Sequence, residues 1–183
     1  HLVSPLLPAP PRARRLRILL SAPAFRPHVV GRTLWPLFRG HDQQRFEIPC
    51  YAAVPNPDDL TIRFRAYADV WRDTTGHTDE QLTRTICADK IDILVDLTMH
   101  MGHHRLLVFA RHPAPVQVCW LAYPGTTGLT TMDYRLPDPY LDPSKNDEEF
   151  YSEKSIRFPE TVWSYHPLTP HPRVTVLPLS RER

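Results

Sequence analysis

Ile91-Asp92-Ile93-Leu94-Val95-Asp96-Leu97 is the stretch whose reading decides the fold. A short run this apolar and β-branched is a strand covered on both faces, the habit of parallel sheets packed between helices. Just before it, Thr78-Asp79-Glu80-Gln81 opens a helix. Thr78 is a capping residue, Gln81 stands where its side chain reaches back to the cap, and Leu82 and Ile86 fall on one helical face. A helix feeding a buried strand is therefore the unit to look for elsewhere.

Working outward, the unit recurs. Residues 16–20 read as a buried strand ahead of Pro23, and residues 29–39 carry Val30, Leu34, Leu37 and Phe38 at helical spacing. Strands are expected over 46–52 and 70–73, with a helix over 58–68 between them and the capped helix over 78–90 after them. A short helix over 104–111 ends before Pro113, a strand follows over 116–121, and a last strand is expected over 156–158. Strands alternating with helices predict an α/β fold with a mainly parallel sheet. No internal repeat is visible. Of the 21 prolines, many lie in residues 5–11 and 167–178. These ends read as a Pro-rich linker (1–15) and a Pro-rich connection (167–183) flanking one folded unit (16–166).

With 22 basic and 20 acidic side chains among 183 residues, the net charge is +2, and the basic residues are scattered rather than gathered into a stripe, so no nucleic-acid partner is expected. No apolar run approaches the roughly 20 residues of a membrane span, and no charged-then-apolar leader opens the chain. Three widely spaced cysteines, Cys50, Cys87 and Cys119, read as buried thiols in a reducing compartment, and the cytoplasm is the expected location.

Glycine-rich phosphate loops, G-x-S-x-G and H-E-x-x-H are all missing from the sequence, so the commonest cofactor and hydrolase chemistries lack their signatures. Three features remain. His28 follows the first strand, where a polar side chain faces either a ligand crevice or solvent. His100, His103 and His104, with Asp96, admit a metal-site reading and a plainer one: His100 on a post-strand loop, with His103 and His104 opening a helix. Pro124-Gly125-Thr126-Thr127-Gly128 suits close backbone approach by a sugar or phosphate, and equally an ordinary turn. Trp35, Trp71, Trp120 and Trp163 are read as core.

These segments, taken in order, resemble the catalytic region of the O-GlcNAc transferase and SPINDLY-like family, in its bacterial form. The resemblance runs from Leu16 to Tyr165. It is carried by Phe25-Arg26-Pro27-His28-Val29-Val30-Gly31, Ala68-Asp69-Val70-Trp71-Arg72-Asp73, the opening Ile91-to-Leu97 strand, and Arg111-His112-Pro113-Ala114-Pro115-Val116-Gln117-Val118. Trp120-Leu121-Ala122-Tyr123-Pro124-Gly125-Thr126-Thr127-Gly128, Met132-Asp133-Tyr134-Arg135-Leu136 and Tyr151-Ser152-Glu153-Lys154 continue it.

The resemblance implies a Rossmann-like lobe, the first half of a GT-B glycosyltransferase. UDP-GlcNAc would be the donor substrate, held mostly by a second, C-terminal nucleotide-binding lobe, with helical tetratricopeptide repeats upstream and Ser or Thr hydroxyls of acceptor proteins as targets. No metal or other cofactor is implied, and the lobe alone is expected to be inactive. The implied catalytic residue is His28; the implied substrate-binding residues are His100, Leu121, Ala122, Pro124, Gly125, Thr126 and Thr127. Departures fall near the same loops: Ala24 replaces the family's Asp, Met99 its Gly, Met101 its Thr and Ala122 its Gly. Hence a second expectation, a degenerate non-catalytic protein-binding scaffold of the same fold, and a third, a transferase using another donor such as GDP-fucose.

Overall fold

The computed structural model describes residues 14–22, 25–143, 148–165 and 167. Both Pro-rich ends lie outside these residues except for Arg14, Arg15 and Pro167. Eight strands form one parallel sheet: β1 (Leu16–Ala22), β2 (Phe46–Glu47), β3 (Pro49–Ala52), β4 (Val70–Asp73), β5 (Ile93–Asp96), β6 (Val116–Cys119), β7 (Tyr134–Arg135) and β8 (Lys154–Ser155). Their order is β4-β3-β1-β5-β6-β7-β8, with β2 alongside β1. The helices are α1 (Val29–Gly40), α2 (Asp59–Tyr67), α3 (Asp79–Ala88) and the single turn α4 (Leu106–Phe109).

This order winds outward in both directions from β1, which makes the gap between β1 and β5 the topological switch point, where open α/β sheets bind ligands beyond their carboxyl ends. Alternation along the central strands builds a core on each face. Leu20, Val95 and Val118 join Leu34, Phe38 and Phe64 of α1 and α2. Leu19, Leu94 and Cys119 join Leu82 and Ile86 of α3 and Phe109 of α4 on the other side.

Most expected elements are present, and the differences have local causes. The strand expected over 46–52 is interrupted, although β2 and β3 keep one register against β1 (Arg17 beside Glu47, Leu20 beside Cys50). Pro49 has no N–H to give a ladder, and the Ile48 N–H goes to Asp69 Oδ2 at 2.8 Å. The helix over 78–90 begins after Thr78 with both halves of its capping box formed. The helix expected over 104–111 shrinks to Leu106–Phe109. His103 and His104 therefore precede it, His103 with φ +63° and His104 accepting the Leu106 N–H through Nδ1 at 3.4 Å. The last strand lies at Lys154–Ser155 rather than 156–158, paired with β7, which the sequence reading lacked. Cys50 and Cys119 are buried, but Cys87 is exposed. Burial pushes the Cys119 thiol up to about 12 and the Cys50 thiol up as well, so neither is a poised nucleophile.

The turn after β7 is pinned by Asp138, whose carboxylate accepts the N–H groups of Val162 (2.8 Å), Leu141 (2.7 Å) and Tyr140 (2.9 Å) and the Thr161 hydroxyl (3.3 Å). The Val162 N–H, then those of Leu141 and Tyr140, hold its carboxyl below the usual value. A depressed folded-state value gives stability that is present above the unfolded value of about 4 and lost as pH falls through the folded one. Asp138→Asn should therefore flatten the acid limb of the stability curve. Urea midpoints measured from pH 5 to pH 3 should fall less in the variant than in the parent, and parallel curves would contradict this role.

Candidate functional site

Loops leaving the carboxyl ends of β1, β5 and β6 carry the candidate residues. Beyond β1, the chain reaches His28, the N-cap of α1, with φ −114° and ψ 160°. Val30 N–H donates to His28 Nδ1 at 3.3 Å. A ring nitrogen that accepts an N–H carries no proton of its own, so the neutral ring bears its proton on Nε2. Capping thus fixes which nitrogen His28 offers outward.

Beyond β5, buried Asp96 shapes the loop. Its carboxylate accepts Thr98 Oγ1 at 2.7 Å, Thr98 N–H at 3.1 Å and Met99 N–H at 2.7 Å. Burial outweighs those bonds and raises its carboxyl above the usual value. Met99 is buried with φ +45°, a left-handed conformation natural to glycine, and His100 is then exposed. His100 Nε2 lies 3.1 Å from the carbonyl oxygen of Thr126, which joins this loop to the next.

Beyond β6, Leu121 has φ +65° and is buried. The left-handed residue of this loop is thus Leu121, and Ala122, which stands where the family has Gly, is not among the residues of positive φ. Gly128 does need its glycine, with φ +73°; Gly125 does not for that reason, although a Cβ there would come within 2.8 Å of the Tyr123 ring. Leu121, Ala122, Pro124 and Gly125 line a crevice of about 50 Å3 together with Met99 and Trp163. Trp163 is 44% exposed, so it is a wall of this crevice rather than core. His28 is not among the residues lining it.

Thr126 and Thr127 turn the other way. Glu153, 2% exposed, accepts Thr127 N–H at 2.7 Å, the Thr127 hydroxyl in a short hydrogen bond, and the Thr126 hydroxyl at 2.8 Å. Ser152 adds its N–H to Thr126 Oγ1 at 3.2 Å. Both hydroxyls expected to meet a ligand therefore hold their own loop. Glu153 had no local signal, being 26 residues from Thr127; it stands only inside the Tyr151-to-Lys154 stretch.

His100, His103 and His104 do not converge: among the described residues, no three His, Cys, Asp or Glu side chains form a metal-holding group. Ala24 lies outside the described residues. No described helix is long and apolar enough to cross a membrane.

The profile of glycosyl transferase family 41 matches residues 9–171. The chain belongs to that family. Among curated proteins it is similar to the probable UDP-N-acetylglucosamine–peptide N-acetylglucosaminyltransferase SPINDLY of Arabidopsis thaliana, 36% identical over 158 residues that cover 84% of this chain and 17% of the relative. SEC of Arabidopsis thaliana, which has the same probable activity in its name, is 31% identical over 147 residues, covering 80% of this chain and 15% of the relative. Among solved structures, a mutant O-GlcNAc transferase of Thermobaculum terrenum superposes with TM-score 0.79 at 45% identity, covering 87% of this chain and 30% of that one. This family 41 lobe therefore has the Rossmann-like fold of its relatives and spans a minor part of their length.

Proposed function

We propose that this family 41 chain is the first lobe of a GT-B protein O-GlcNAc transferase, inactive alone, which transfers GlcNAc from UDP-GlcNAc to Ser or Thr hydroxyls once joined to a C-terminal nucleotide-binding lobe. Residues 16–166 are the lobe, and residues 1–15 and 167–183 its connections, the first toward helical repeats. The observation that carries the reading is the meeting of the post-β5 and post-β6 loops, through His100 and Thr126, beside the switch point where α1 begins at His28.

Direct displacement at the anomeric carbon depends on alignment and on stabilising the departing diphosphate. Leu121, Ala122, Pro124 and Gly125 would supply the wall against which the sugar rests. His28, with Nδ1 engaged by α1, offers Nε2–H as a donor that orients a substrate oxygen, and in that tautomer it is no general base. Thr126 and Thr127 act by shaping the loop, His100 by tethering it.

In the full-length gene product, His28→Ala should lower turnover by about tenfold to a hundredfold, the worth of one oriented hydrogen bond to a polar or charged group. Loss of the cap should cost only about 1 kcal/mol of stability. Turnover equal to the parent would remove His28 from the site.

Two observations favour the scaffold reading: Met99 fills buried space in a left-handed position, and the crevice is small, about 50 Å3. Titration of the same gene product with UDP-GlcNAc and GDP-fucose separates the three readings. Binding of neither leaves the scaffold.

A further inference from the structure

A second cavity, about 250 Å3, opens at the carboxyl ends of β3 and β4, and no residue of the crevice takes part in it. Val54, Pro57, Ile62 and Trp71 give it apolar walls; Arg65 and Asp73 bring one charge of each sign. We propose that this cavity is an acceptor subsite, where an extended polypeptide inserts one apolar side chain while its flanking amides meet Arg65 and Asp73. The inference rests on the transferase reading above and extends it from the reacting hydroxyl to the polypeptide that bears it.

The cavity is built into the approach to His28. Thr61, which lines it, donates its hydroxyl to the carbonyl of Phe25 at 2.7 Å, three residues before His28. Trp71, another wall, stacks edge-on against the Phe25 ring at 5.5 Å. Whatever fills the cavity therefore lies along the sheet's carboxyl end from the candidate site, on walls already held in place.

Its chemistry selects a polypeptide. Ile62 is 63% exposed beside Val54, Pro57 and Trp71, the apolar part of a mixed lining, an arrangement that suits an apolar side chain. A carboxylate at the rim repels a diphosphate, whereas a donor and an acceptor of opposite charge suit the C=O and N–H of one peptide chain. The Thr75 N–H, at 2.9 Å, keeps Asp73 below the usual carboxylate range, so that charge is present at neutral pH. Among the described residues β4 is also the last strand of the sheet on that side, open to main-chain pairing by an extended segment.

The test uses the full-length gene product and a set of Ser-containing peptides in which one leucine is moved through the positions flanking the serine, each compared with alanine. One position should favour leucine by about tenfold or more in kcat/KM, the range for a side chain filling an apolar pocket. Ile62→Asp, at an exposed position that tolerates a charge, should erase that preference while leaving the KM for the sugar nucleotide unchanged. Asp73→Arg should raise the acceptor KM in the same peptides. A parent enzyme without positional preference, or a preference that survives both variants, overturns the subsite alone. A folded parent that glycosylates no peptide overturns the transferase reading and the subsite with it.

Discussion

Phe64→Ala is expected to lower the unfolding free energy by about 4 kcal/mol, within the range for removing a buried ring from a core that cannot collapse around the hole. Phe64 is fully buried and meets three rings edge-on: Phe38 at 4.9 Å, Phe25 at 5.4 Å and Trp35 at 5.5 Å. Phe38 and Trp35 belong to α1 and Phe25 to the loop before it, so no single element can shift to fill the space. At this chain length the loss corresponds to a melting point lower by roughly 10 °C. Phe64→Leu, which keeps most of the volume, should lose about half as much. Denaturant unfolding decides the matter: a loss in Phe64→Ala under about 2 kcal/mol, below the expected range, would mean the cluster is looser than drawn. The same variant frees the Phe25 ring, so amide signals from residues 26–30 should shift as well, coupling this core to the position of His28.

The fold was legible where burial on both faces left a dense apolar record. Residues 91–97 place β5, and the Thr78/Gln81 box places the start of α3, because both signals are local. What was illegible depended on distant partners. β7 contains Arg135, a residue that sequence reading assigns to a surface; here it is 3% exposed because it forms a short ion pair with buried Asp142, and its guanidinium lies over the Tyr151 ring. The interruption between β2 and β3 depended on Asp69, beyond α2, capturing the Ile48 N–H. Pro36 did not hide α1, because the helical spacing of Val30, Leu34, Leu37 and Phe38 runs through it; Leu34, Trp35 and Phe38 are buried on both sides of the proline, and packing carries the helix through.

The candidate site divides along the same line. That His28 follows β1 and that His100 and the residues after Leu121 follow β5 and β6 could be read from the order of elements. Backbone conformation was mostly hidden: Met99 and Leu121 adopt positive φ without being glycine, and although Met99 stands where the resembled family has Gly, nothing in the leucine announces it at Leu121. The direction of side chains was also hidden. Two adjacent threonines in a glycine-flanked turn suggest hydroxyls turned toward a ligand, and only the distant Glu153 reverses the reading.

Glu153 is thus the residue on which the loop's shape depends, and Glu153→Ala carries the second large expected effect. It removes the acceptor for Thr127 N–H and for two hydroxyls at a site almost closed to water. Hydrogen bonds to a charged acceptor are worth about 1.5–3 kcal/mol each and are not additive, so a loss of about 3 kcal/mol is expected. Glu153→Gln keeps one oxygen for the Thr127 N–H, and the hydroxyls can rotate to meet the amide, so it should recover roughly half of that. A purely structural residue would affect stability alone. If the loop shapes the sugar's wall, the full-length product should show kcat lowered by about a hundredfold in Glu153→Ala, by misplacement of the order of 1 Å, even at a temperature where the variant is fully folded. Partial recovery of kcat in Glu153→Gln should accompany slower exchange of the Thr127 amide. A Glu153→Ala protein as stable and as active as its parent would mean that the threonine hydroxyls are free after all, and they would return as direct ligand contacts.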